Sequence, residues 1–407
     1  MNRFIPRRRY LMYRGELRDI AASALSVGRE VRTASVERFE HALAQFHGVP
    51  HVRTVNSGRV GLLTLLAGLR LREGDEIIVP AYTLRALIEL LAGAGYVPVP
   101  VDVDPRTLNM DPRQVEERIG PATRAILATH LFGRPCDLVA LERIARERGL
   151  LLVEDCAQAL GCRVGERRVG TFGDGAILSF DLLKPINTFG GGAVITAREE
   201  VAKQLDHAFL QLDPPGLALA RRIVLGLAEH AVLVSPAARV VVAALAHPRT
   251  RRFIERNYRA MQDRARPTQV RYSRLQAHIG LRLLDSLDGR VAVRRDMARK
   301  LARLLGERPA ASVGRGENGY FFVRLTDGSA SSLRRDLLAA GIDAGIGSEV
   351  ADYCGDLGRR AECPVAKDAF EHAIQLPLHE GLGDEDLKRI AAVCAGRLRN
   401  PAQLFPT

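Results

Sequence analysis

The stretch Glu154-Asp155-Cys156-Ala157-Gln158, followed by Ser179-Phe180-Asp181-Leu182-Leu183-Lys184 and then Gly190-Gly191-Gly192, decides how this chain is read. Asp155 ends an apolar run, Leu150 to Val153, that reads as a strand, and Lys184 follows some thirty residues on. A carboxylate and an amine so placed suit opposite poles of pyridoxal 5'-phosphate. The acid holds the pyridinium proton, so that the ring accepts electrons, while the amine forms a Schiff base and carries protons.

Working outward, short apolar strands alternate with helical segments on both sides of this stretch. Val52 to Val55, Glu76 to Val79, Val97 to Val101, Ala125 to Thr129 and Leu150 to Val153 read as strands. Residues 16 to 46, Val60 to Leu71, Arg85 to Gly93, Asp111 to Arg118 and Leu138 to Arg148 read as helices. Unbroken apolar strands in βα alternation predict a mostly parallel sheet flanked by helices, with ligands at the carboxyl ends of its strands. Ser57-Gly58, Tyr82, His130, Asp155 and Ser179 all fall at such ends. Asn56-Ser57-Gly58-Arg59 is a strand-to-helix junction whose free N–H groups and helix dipole suit a phosphate, although Ser-Gly also serves for capping alone.

Past Gly192, Ala193 to Thr196 reads as a strand and Glu199 to Leu212 as a helix. Residues 213–250 are atypically apolar but interrupted by Glu229, His230, Pro236 and Arg239, which argues against a simple membrane span. Flanking arginines at 221, 222, 249, 251 and 252 leave two readings: a helix pair packed on protein, or peripheral contact with acidic headgroups through 217–247. Gln276 to Leu305 is expected to be helical, and the rest is mixed α+β. The expected division is a large α/β domain over 1–262 and a smaller C-terminal α+β domain over 263–407.

Composition sets the outer bounds. The chain has 407 residues, 47% of them hydrophobic and 26% charged, which is ample for a large core. Its net charge of +12 favours anionic partners, yet Trp is absent and no zinc-finger spacing or basic heptad helix occurs, so no nucleic-acid partner is expected. Six cysteines at 136, 156, 162, 354, 363 and 394 form no CxxC pair, and no metal is expected. With no apolar leader at Met1 to Arg9, the expected location is the cytoplasm, with peripheral contact at the inner face of the membrane as the extension that 217–247 suggests.

The chain resembles the DegT/DnrJ/StrS family of sugar aminotransferases of fold type I, from about Arg14 to Arg399. The motifs that carry the likeness are Val55-Asn56-Ser57-Gly58, Gly74 to Thr83, Val101 to Pro105, His130 to Pro135, Glu154-Asp155 with Gln158, Ser179 with Lys184, and Cys363 to Ala366 followed by Leu376-Pro377-Leu378. The resemblance implies that Lys184 is the Schiff-base and proton-carrying lysine, that Asp155 pairs with the ring nitrogen, and that Gln158 lies near the ring hydroxyl. Ser179 and the N–H groups of Gly58 and Arg59 would bind the cofactor phosphate. Leu84 stands where an aromatic side chain usually stacks on the ring, and Gln269 where an Asn usually reaches the neighbouring subunit's phosphate in a homodimer.

The implied reaction moves an amino group from glutamate or glutamine to a keto-sugar. Gly345-Ile346-Gly347-Ser348-Glu349 replaces the usual His-Tyr pair near the nucleotide sugar, which with the apolar 213–250 segment extends the acceptor class to lipid-linked or hydrophobic carbonyl compounds. The alternatives are another reaction on the same cofactor (elimination, decarboxylation or condensation) and a noncatalytic sensor of the same fold.

Overall fold

In the computed structural model the described residues are 3–7, 9–10, 15–24, 34–210, 217–235, 238, 240, 271–307 and 316–399. Two helices, α1 (Glu16–Ala24) and α2 (Ala34–His47), lead into strand β1 (His51–Val55) and helix α3 (Gly58–Gly68). There follow β2 (Glu76–Pro80), the short β3 (Tyr82–Thr83), α4 (Arg85–Gly93), β4 (Val97–Val101), α5 (Pro112–Arg118), β5 (Thr123–Thr129), α6 (Leu138–Arg148) and β6 (Leu151–Asp155). A two-residue hairpin pairs β7 (Arg163–Val164) with β8 (Arg167–Arg168) before β9 (Gly175–Ser179), β10 (Gly192–Thr196), α7 (Glu199–Leu210) and α8 (Leu217–Val234).

Seven strands form one sheet in the order β1-β10-β9-β6-β5-β2-β4. Neighbours from β9 to β4 are parallel, and β10 runs against both β1 and β9. Successive side chains of a strand point to opposite faces. Leu152, Ile126 and Leu178 therefore join the core built with α2 and α6, whereas Val153, Leu127 and Ile177 join Leu62, Leu65 and Leu66 of α3. Both faces are covered, as the unbroken apolar strands require.

Beyond the 241–270 segment, α9 (Arg274–Asp285) and α10 (Leu287–Leu304) break at Ser286, where one continuous helix was expected. Ala277, Ile279, Leu283 and Val291 from these helices belong to the core on the α2 face. The remaining elements are β11 (Phe322–Leu325), α11 (Ala330–Ala339), β12 (Gly345–Ile346), β13 (Asp352–Tyr353), α12 (Pro364–His372), β14 (Ala373–Leu376) and α13 (Asp384–Cys394). Strands β11, β14 and β12 form an antiparallel sheet over a second core that includes Leu301, Leu333 and Ile390.

Two links tie this smaller layer to the larger. Strand β13 pairs with β3, matching Tyr353 to Tyr82. The N-terminal residues form a strap: Ile5 exchanges backbone hydrogen bonds with Gly341 and Asp343 at 2.8 and 2.9 Å, and the Tyr10 carbonyl accepts from Asn187 Nδ2 at 2.9 Å. No described helix is long and apolar enough to cross a membrane.

Candidate active site

The carboxyl ends of β5, β6 and β9 converge with the amino end of α3. Thr129 and Asp155 are register partners on adjacent parallel strands, and Ser179 ends β9 on the face that it shares with Ile177. Ser57 caps α3 by accepting from the Val60 N–H at 3.3 Å, is bridged to Gly191, and leaves Gly58 as the first helical residue. Gly192 is obligatory here because a Cβ would strike the Leu178 carbonyl and come within 2.9 Å of the Gly58 nitrogen. Strand β10 thus presses the helix amino end against Ser179 (Gly192↔Ser179), forming a concave cradle of N–H groups and a hydroxyl.

Asp155 is buried, and its Oδ1 accepts from the Ala157 N–H at 2.9 Å. Burial raises its pKa, and that rise is opposed by the Ala157 bond and by the positive charge of Lys184. Burial likewise lowers the pKa of Lys184, opposed by the charges of Asp155 and Asp181. The two groups therefore lie close enough to feel each other, and the lysine is biased toward the neutral amine that a nucleophile requires.

The loop carrying Lys184 is fastened on all sides. The Phe180 carbonyl accepts from Thr188 and Gly190 N–H, the Thr188 hydroxyl meets Tyr272 Oη at 2.8 Å, and Gln276 Nε2 donates to the carbonyls of Thr188 and Gly190 at 3.3 and 3.0 Å. Arg290 holds the Pro185 carbonyl at 2.9 Å. Helix α8 packs Gly226 on Leu182 and Phe189 of the same loop. None of these fasteners stood out as a site residue in the sequence, although Gln276 lies in a Leu-Gln-Ala run that a loop anchor could have explained.

Gln158 is buried and its Oε1 accepts from the Phe132 N–H at 2.9 Å, so the Nε2 end of the amide remains for a ligand. Asn318 fixes that turn by donating to the Gln158 carbonyl at 2.8 Å. Arg59, half-buried, has no hydrogen-bonding or charged partner among the described residues. Leu84 caps α4 with 43% of its surface exposed, an open apolar side chain at the position where the resemblance places a stacking ring in other members. Gln269 lies outside the described residues.

Beneath Asp155, Glu154 is fully buried. Its oxygens accept from the N–H groups of Gly170 (2.7 Å), Phe172 (2.7 Å) and Gly173 (3.0 Å) and lie 3.2 Å from His130 Nε2. The Cys136 N–H donates to His130 Nδ1 at 3.1 Å, which fixes a neutral imidazole that donates through Nε2. Although His130, Glu154 and Cys156 cluster with metal-ligand chemistry, the lone pairs a metal needs are engaged, and the cluster acts as the footing of Asp155. Cys156 and Cys162 are buried and free, and burial pushes the Cys156 thiol up to about 12.

An acid at one end, an amine held beside it, an amide to one side and a glycine-lined N–H cradle fit a pyridine ring bearing an aldehyde and a phosphate. The orphaned, buried hydroxyl of Thr129 beside Asp155 is the feature a ligand there would use. The sheet order is that of the fold type I architecture of pyridoxal phosphate-dependent transferases, shared with solved aminotransferase structures. The chain belongs to the DegT/DnrJ/EryC1/StrS aminotransferase family, whose profile matches residues 15–394.

Among its relatives, L-glutamine:2-deoxy-scyllo-inosose aminotransferase of Micromonospora echinospora is 43% identical over 170 residues, covering 42% of this chain and 40% of the relative. The match thus spans about two-fifths of that relative's length. GDP-perosamine synthase of Caulobacter vibrioides is 30% identical over 380 residues, 90% of each chain. The solved structure of DesV from S. venezuelae, described as a complex with a ketimine intermediate, superposes with a TM-score of 0.70 at 27% identity, covering 93% of this chain and 94% of that one.

Proposed function

We propose that the protein is a pyridoxal phosphate-dependent aminotransferase that moves an amino group from an amino acid, glutamate or glutamine, to a keto-sugar or related carbonyl acceptor. The observation that carries this reading is the convergence of Asp155, Ser179 and the amino end of α3 at the carboxyl end of the parallel sheet, with the Lys184 loop fastened beside them. When bound, the cofactor supplies an aldehyde that condenses with amines and a ring that takes up electrons. Asp155 holds the proton on the ring nitrogen. Lys184, whose pKa burial lowers, is the nucleophile and the base that moves the proton at the substrate carbon. Gln158 orients the ring edge through Nε2, and Ser179 with the N–H groups of Gly58 and Arg59 holds the phosphate. Leu84 would offer the ring an apolar contact in place of an aromatic side chain.

The test is direct: protein incubated with pyridoxal phosphate, glutamate and a panel of keto-sugars should yield 2-oxoglutarate and amino sugar in equal amounts. Cofactor-bound protein that converts glutamate without aminating any carbonyl, or that releases carbon dioxide, refutes it.

Further readings belong to the same proposal. The chain divides near 262/263 into a cofactor-binding part and a smaller C-terminal part, with 272–291 packed back on the first. Two copies associate so that Gln269 of one serves the other's phosphate cradle, which sedimentation with and without Gln269→Ala tests. The exposed Val224, Leu225 and Val234 of α8, next to Arg221 and Arg222, support contact with a lipid-linked acceptor or an acidic membrane face. Flotation with anionic vesicles, with and without residues 217–247, tests that contact.

A further inference from the structure

Between the two layers, beside the Lys184 loop, lies a solvent-open cleft. Leu183, the neighbour of Lys184, lines one wall; Arg7 and Arg9 of the N-terminal strap, Arg294, Tyr320 and His379 line the others. Two of its three guanidinium groups have acid partners: Arg7 pairs with Glu349 at 2.8 Å, a carboxylate that also holds Arg334 at 2.9 Å, and Arg294 makes a two-point pair with Glu380 at 2.9 and 2.8 Å, with its guanidinium stacked 3.9 Å over Tyr320. Arg9 is exposed and has no acid partner among the described residues. His379 brings no charge, since it accepts from the Gly381 N–H through Nδ1 while its Nε2 lies 3.0 Å from the Pro6 carbonyl. This same bond fixes the strap just before Arg7 and Arg9.

We propose that this cleft is an oxyanion subsite in which Arg9 recognises a carboxylate or phosphate carried by the reacting donor or acceptor. An exposed guanidinium without an acid partner among the described residues, lining a cleft whose other two guanidinium groups are already paired, offers five N–H donors in a fork that fits either oxyanion. Leu183, which forms one wall, precedes the proposed nucleophile in the chain, so the cleft borders the loop that carries Lys184. Because the strap bridges the small sheet and the Lys184 loop through Ile5 and Tyr10, an anion on Arg9 also engages the element that joins the two layers. Arg9 is thus a specificity-determining residue, and its contribution is binding rather than bond making.

The inference rests on the aminotransferase reading, and the experiment separates the two. Protein saturated with pyridoxal phosphate, so that the phosphate cradle is filled, is titrated calorimetrically with glutarate, inorganic phosphate and pyrophosphate. Arg9→Gln should weaken at least one of these by roughly ten-fold or more, as expected for a charge-assisted hydrogen bond, and Arg9→Lys should recover part of it. Cofactor affinity and visible absorbance should not change in either variant. Selective loss of glutarate assigns the subsite to a carboxylate, and selective loss of the phosphates to a phosphorylated acceptor. Equal affinities of wild type and Arg9→Gln for all three anions, or no binding of any by wild type, overturn the subsite. Absence of cofactor binding in both proteins sinks the aminotransferase reading instead.

Discussion

Replacing Glu154 by Gln tests how the site is footed. Four donors converge on this carboxylate: three backbone N–H groups at 2.7 to 3.0 Å and the Nε2–H of His130. An amide keeps one oxygen, able to satisfy two of them, and turns its NH2 on the other two. His130 cannot escape by changing tautomer, because Nδ1 is held as an acceptor by Cys136. Two buried donors left unpaired cost about 2–6 kcal/mol, part of which is returned because no charge is buried, so we expect a net loss of about 3 kcal/mol. Urea unfolding of the apoprotein at neutral pH measures it, and cofactor affinity should fall as well because Asp155 sits one residue along. The pH dependence carries a sign. Burial alone would raise the pKa of Glu154, but the bonds from His130 and the backbone hold it below its ordinary value of 4.5. Its stabilisation is therefore full above 4.5 and fades as pH falls through the lower folded value, so the gap between wild type and variant should close in acid. A loss below 1 kcal/mol with undiminished cofactor affinity would refute the footing role.

Other outcomes follow from the same geometry. Gly192→Ala should cost about 1–3 kcal/mol by overpacking against Leu178 and Gly58, and should weaken retention of the cofactor phosphate, measured by equilibrium dialysis. Gln276→Ala removes two hydrogen bonds that hold the Lys184 loop, for about 1–3 kcal/mol of stability, read by thermal unfolding together with a slower amine half-reaction. Lys184→Met should leave the cofactor-free protein at least as stable as wild type at neutral pH. Burial lowers the lysine pKa, so its charged form costs stability below the folded pKa, and the advantage of the variant should shrink as pH rises toward 10.5. A variant markedly less stable than wild type at neutral pH contradicts the assigned shift.

How much was legible in the sequence depends on the range of the interaction involved. The parallel sheet was readable because Ile77-Ile78-Val79 and Leu151-Leu152-Val153 are apolar on both faces, a pattern that only a doubly covered sheet produces. Asp155 at the end of β6 and Ser179 at the end of β9 followed from strand boundaries alone. Strands β3, β12 and β13 are two residues long, too short to carry a period, and exist only through partners far along the chain. The break at Ser286 has no proline to announce it, and Gly289 comes only three residues later, while the apolar spacing runs on through Leu287 and Val291. Pro-Arg-Arg-Arg at residues 6–9 reads as a polar terminus, and only the pairing of Ile5 with Ile342 turns it into a strap along the cleft. The footing role of Glu154 was equally hidden, because its donors at 170, 172 and 173 lie in a turn with no helical or strand pattern.

The most direct measurement is chemical. Protein loaded with pyridoxal phosphate, reduced with borohydride and digested should carry a pyridoxyl group on the peptide containing Lys184 and on no other, and Lys184→Met should abolish the label. A stable adduct on a different lysine, or none in protein that has visibly bound the cofactor, would contradict the assignment.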